Sequence, residues 1–74
     1  MRSREIVSVA QQLGRYRINT PGGHPQYGTD LRPGRVTIPS HSKPLKRRTT
    51  LSILSELEAD VFYWQERLSH EEEQ

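Results

Sequence analysis

Apolar side chains recur with two different periods along this chain. Ile6, Val9, Ala10 and Leu13 fall at i, i+3, i+4 and i+7, which is one face of a helix. Ser3 can cap its start, and Glu5 lies in the first turn, where negative charge suits the helix dipole. Gly14 stands where a left-handed residue commonly closes a helix. The spacing predicts helix one over 4–13. From residue 15 the period becomes two. Tyr16 and Ile18 point one way, expected inward, and Arg15, Arg17 and Asn19 point the other. Pro21-Gly22-Gly23 is a turn, and a short segment from His24 to Thr29 follows, anchored by Tyr27. Pro25 has no amide proton, so it belongs at an edge or at a strand's beginning. Asp30 to Gly34 makes a second turn, and Arg35-Val36-Thr37-Ile38 alternates again, with Val36 and Ile38 inward. Residues 15–38 thus predict a three-stranded meander.

The helical period returns after a basic loop, residues 40–48. Leu51, Leu54, Leu57, Val61, Trp64 and Leu68 form one stripe, which predicts helix two over 50–68 with a frayed tail at 69–74. Thr49 or Thr50 would cap it. The expected fold is a single α+β domain of order α-β-β-β-α. A three-stranded antiparallel sheet carries both helices on one face, because both apolar stripes need burial. The free face would then show Arg15, Arg17, Asn19, Arg35 and Thr37. Double-stranded-RNA-binding domains share this order, and they read A-form shape through phosphates and 2′-hydroxyls.

Composition narrows the classes. With 74 residues and an apolar share of 31%, the core must be thin, and an interface can complete it. Cysteine is absent, which excludes a disulfide framework and thiolate metal sites. No apolar run approaches a membrane span, and the start does not resemble a signal-peptide core, so a cytoplasmic protein is the simplest expectation. The net charge of +2 hides an asymmetry. Residues 1–48 hold ten Lys/Arg against two acids (net +8), and residues 49–74 hold one against seven (net −6). A surface so basic points to a polyanionic partner.

Three histidines are the candidate chemical groups. His24 follows a glycine turn and precedes a proline, so a large ligand can approach its ring. A histidine there is more often an inert surface residue. The sharper reading is proton exchange with a ribose 2′-hydroxyl or a leaving oxygen. His41, in the basic loop, can assist as a second acid or base or simply face solvent. His70 lies among glutamates and is expected to be inert. The three show no metal-ligand spacing, so neither a metal nor a cofactor is expected. Lys43, Lys46, Arg47 and Arg48 lead into a helix N-terminus, and both features attract phosphate. With Arg15, Arg17 and Arg35 they are the candidate RNA-binding residues. Phe62, Tyr63 and Trp64 cannot all face one core from one helix. They either cap the end of the core or bury against a partner, including a second copy of the chain.

Four segments, in order, resemble the HicA family of toxin–antitoxin ribonucleases. Arg2-Ser3-Arg4-Glu5-Ile6 is similar to that family's first-helix start. Gly22-Gly23-His24 followed by Tyr27 resembles its glycine–serine/threonine–histidine motif. Arg35 to His41 resembles its third strand and exit, and Lys46 to Leu54 the start of its second helix. The likeness spans about residues 2–56. It implies a double-stranded-RNA-binding-like fold, metal-independent cleavage of messenger RNA with His24 as the catalytic histidine, and a HicB-type antitoxin as partner. The runner-up expectation is a non-catalytic RNA-binding module of the same fold. A third is an interaction protein that docks through its aromatic helix.

Overall fold

A computed structural model describes residues 1–40 and 42–72, the last for its backbone alone. Its elements are α1 (Ser3–Gln12), β1 (Tyr16–Ile18), β2 (Gln26–Gly28), β3 (Val36–Thr37) and α2 (Arg47–Glu72). The strands form one antiparallel sheet in the order β1-β2-β3. Ile6 and Ala10 of α1, Ile53 and Leu57 of α2, and Tyr27, Val36, Ile38 and Leu45 make one buried core. Both helices therefore cover the sheet face that bears Tyr27 and Val36, and the small α+β layout read from the pattern is the one observed.

Local chemistry explains the ends of α1. Arg2, in extended conformation, holds the N-cap position, and its amide donates to Glu5 Oε1 at 2.8 Å. Ser3, expected to cap, lies instead inside the first turn and donates its hydroxyl to Pro39 O at 2.6 Å, tying α1 to the chain beyond β3. At the other end Gly14 has φ 91°, its amide donates to Gln11 O, and Arg15 N reaches back to Ala10 O. This is the paired hydrogen-bond pattern of a glycine-closed helix end. It turns Arg15 directly into the interior.

That turn sets the parity of β1 opposite to the expected one. Arg17 pairs with Tyr27, and Tyr27 with Val36, so Arg17 lies on the helix-covered side of the sheet. Tyr16 opposite Gly28, and Ile18 opposite Gln26 and Thr37, lie on the open side. Gly28 makes room for this arrangement. A Cβ there would stand 2.7 Å from Ile18 Cδ1 and 3.8 Å from Tyr16 Cε2. The open face thus carries Tyr16, Ile18, Gln26 and Thr37, with Arg35 reaching Gln26, and not the row of arginines expected.

Helix α2 begins a turn earlier than expected and runs on past residue 68. Lys46 O accepts from Thr50 N, so Thr49 and Thr50 lie within the first turn rather than at the cap. Leu45 fixes this start: it is buried, and its amide donates to Met1 O. The tail expected to fray at 69 remains helical to Glu72, and 73–74 lie outside the described residues. The buried side of α2 is Thr50, Ile53, Leu57 and Asp60, with Leu54 and Trp64 half-buried. Leu51, Val61 and Leu68 of the expected stripe are exposed instead.

Candidate nucleic-acid interface

With α1 packed across the sheet, its polar side and the end of β1 enclose a groove of about 490 Å³. Arg2, Arg4, Ser8 and Gln11 of the α1 segment line one wall, and Arg17, Pro25 and Ser40 line the other. Pro39 and Ser42 are shared with a second depression of about 470 Å³, lined also by Lys43, Lys46 and Thr49. The charged lining of this pair of depressions, a basic track along the surface, is Arg2, Arg4, Arg17, Lys43 and Lys46. Among the described residues no carboxylate lines either part. Arg2 is partly committed, because its Nη1 donates to Ser42 O at 2.9 Å and braces the loop between β3 and α2.

His24 is next in the chain to the lining of this groove and is not itself one of the lining residues. Its side chain is exposed, and it directly precedes Pro25, a groove-lining residue. The backbone around it is held in place. Thr20 Oγ1 donates to His24 O at 3.2 Å, Gly23 N donates to Thr20 O, and Ile38 N donates to Pro25 O at 3.1 Å. The first two bonds close the loop, and the third attaches its exit to the chain after β3. These bonds fix the backbone on either side of the exposed imidazole.

The expected phosphate contacts divide. Arg17, Lys43 and Lys46 line the track. Arg47 and Arg48 are exposed in the first turn of α2, where unpaired amides add positive potential. Arg35 is exposed on the open face of the sheet, away from Arg17's side. Arg15 has to be removed from the set. It is 3% exposed, and its Nε and Nη2 donate to Asp60 Oδ2 and Oδ1 at 2.7 and 2.9 Å. Its Nη1 donates to Tyr27 O and Gly34 O. Every nitrogen of the guanidinium is thus engaged inside the fold, and none is left for a phosphate. His41 lies outside the described residues.

Sequence reasoning does not single out Arg2 and Arg4 as binding residues, although one signal is present. Arg4, Ser8 and Gln11 repeat at i, i+4 and i+7 and form a polar strip beside the apolar face of α1. The aromatic trio also divides. Trp64 Nε1 donates to Leu13 O at 2.6 Å, Tyr63 lies under the Arg32 guanidinium, and Phe62 is 63% exposed. Among the described residues no cluster of His, Cys, Asp or Glu can hold a metal ion, and no helix is long and apolar enough to cross a membrane. No protein-family model, curated protein or solved structure matches the chain.

Proposed function

We propose that this chain is an RNA-cleaving toxin of the HicA type, with a double-stranded-RNA-binding-like fold. The observation that carries the reading is an exposed His24 directly before Pro25, which lines a depression whose charged lining, together with that of its neighbour, is Arg2, Arg4, Arg17, Lys43 and Lys46. The track holds successive phosphates, and its charge is sequence-independent, as backbone binding requires. His24 exchanges protons with the 2′-hydroxyl or with the leaving oxygen, and RNA supplies its own nucleophile. Guanidinium groups nearby offset the charge that builds on phosphorus. The α-β-β-β-α order with both helices on one sheet face supports the fold assignment. In this reading the protein acts on messenger RNA in the cytoplasm. A HicB-type antitoxin silences it by covering the basic track.

The test replaces His24 with alanine and measures cleavage of a labelled messenger RNA together with gel-shift binding. Removing a general acid or base is expected to slow cleavage by roughly a hundredfold or more while binding persists. Cleavage at the unaltered rate would end the ribonuclease assignment. Binding without cleavage by the unaltered chain would favour the non-catalytic RNA-binding module, which needs the track and not the imidazole.

A further inference from the structure

Helix α2 carries two seams, and the fold uses one. The inward seam, Thr50, Ile53, Leu57, Asp60 and Trp64, steps by alternating threes and fours. One residue further round, positions 51, 54, 58, 61, 65 and 68 repeat that step. Four of them are apolar: Leu51 (54% exposed), Leu54, Val61 (40%) and Leu68 (51%). The helix also outruns the domain. Trp64 is anchored to Leu13, whereas beyond it Arg67 lies over Trp64 and 3.8 Å from Glu71, and His70 Nε2 lies 4.0 Å from Glu66 Oε2, all within α2. The segment 65–72 adds about 12 Å of helix at the ordinary rise per residue. So short a projection bearing an exposed leucine has little helical stability of its own.

We propose that the outer seam joins two copies of this chain, α2 against α2, in antiparallel orientation. The spacing 3-4-3-4-3 reads the same from either end, so a two-fold axis between 58 and 61 sets Leu51 against Leu68 of the second copy. Charge chooses the orientation. The first turn holds Arg47 and Arg48, preceded by Lys46 and without an acid, and the last turns hold Glu66, Glu71 and Glu72 against Arg67 and His70, an excess of acid. Antiparallel copies bring the basic start of each helix to the acidic end of the other, whereas parallel copies would set like against like. A second copy is the partner that supplies equal length, a leucine opposite each of Leu51 and Leu68, and opposite polarity at both ends, with Leu54 facing Gln65 between them. Self-complementarity of this kind is what a two-fold interface requires. Glu58 is the one acid within the seam, close to the axis and facing Val61 of the other copy, and it weakens the pairing. With four apolar residues per copy the interface is at the small end of the range, so the dimer is weak and depends on concentration. None of this depends on the RNA reading.

Sedimentation of the full chain over a concentration series tests the pairing. The mass is expected to rise from 8.6 kDa toward twice that value. Leu68→Glu should hold the monomer at every concentration while leaving far-ultraviolet circular dichroism unchanged, since Leu68 lies beyond the last anchor of α2. Glu58→Leu should tighten association. Reversing the start (Arg47→Glu with Arg48→Glu) or the end (Glu66→Lys with Glu71→Lys) should weaken it by roughly tenfold, and combining both reversals should restore it. A constant monomer mass overturns the proposal. So does association that Leu68→Glu leaves intact, or charge reversals whose effects accumulate instead of cancelling.

Discussion

Asp60 is the residue on which the interior turns. It is completely buried, and its two carboxylate oxygens accept from Arg15 Nε and Nη2 and from Arg32 Nε, the last at 2.8 Å. Arg32 also donates to Glu56, so the cluster ties α2 to the end of α1 and to the turn before β3. Burial pushes the Asp60 carboxyl upward, but hydrogen bonds from Arg15 and Arg32 and their charges outweigh it and hold the group below the usual carboxylate range. Its stabilising contribution is complete above the unfolded value of about 3.9 and is lost as pH falls through the lower folded value. Urea unfolding along a pH series should therefore show steep loss of stability only under strongly acid conditions. Asp60→Ala should cost about 3–5 kcal/mol in thermal or urea unfolding, because it strands the buried charge of Arg15. In a domain this small that is most of the folding free energy. The sequence leaves Asp60 outside the expected apolar stripe of α2, and its charge reads as part of a solvated acidic half. Its partners stand 45 and 28 residues away, beyond the reach of local spacing.

Among the elements, α1 is the most legible. Its apolar face, Gly14 terminus and first-turn acid are all local features, and Ser3–Gln12 lies within one residue of the expected bounds. Its junction with α2 is a tertiary feature. Trp64 spans 51 positions to bond Leu13 O, and its ring lies close to Gly14, where an added Cβ would stand 3.3 Å from Trp64 Cζ2. Gly14→Ala is therefore strained twice, by its positive φ and by the indole. It should cost about 1–3 kcal/mol in equilibrium unfolding. A cost near zero would mean that the α1 terminus does not hold this conformation. The strands are legible in number and order but not in facing. Arg-Tyr-Arg-Ile alternates equally well either way round, and alternation alone does not say which set is inside. The Gly14 turn, the Asp60 carboxylate and the bare Gly28 make the choice.

At the scale of the whole molecule, reversing β1 relocates the basic surface from the open sheet face to the groove beside α1. The two locations predict different salt behaviour. Replacing Arg4 or Arg17 with glutamine should weaken RNA binding and flatten its logarithmic salt slope by about one for each phosphate left without its cation. Arg35→Gln, on the open face, should leave the slope unchanged. A binding series from low to moderate salt distinguishes them, and an equal flattening at Arg35 would return the interface to the sheet. The sequence by itself determined the α+β order, the inward pair Val36 and Ile38, the exposed setting of His24 and the excess of positive charge over 1–48. Each of these follows from local periodicity, turn chemistry or simple composition. Tertiary structure alone decided that Arg15 is a buried brace, that Arg2 and Arg4 join the track, and which side of α2 meets the core. Those outcomes depend on partners far apart in the chain, where the burial of one carboxylate dictates which positive side chains remain free.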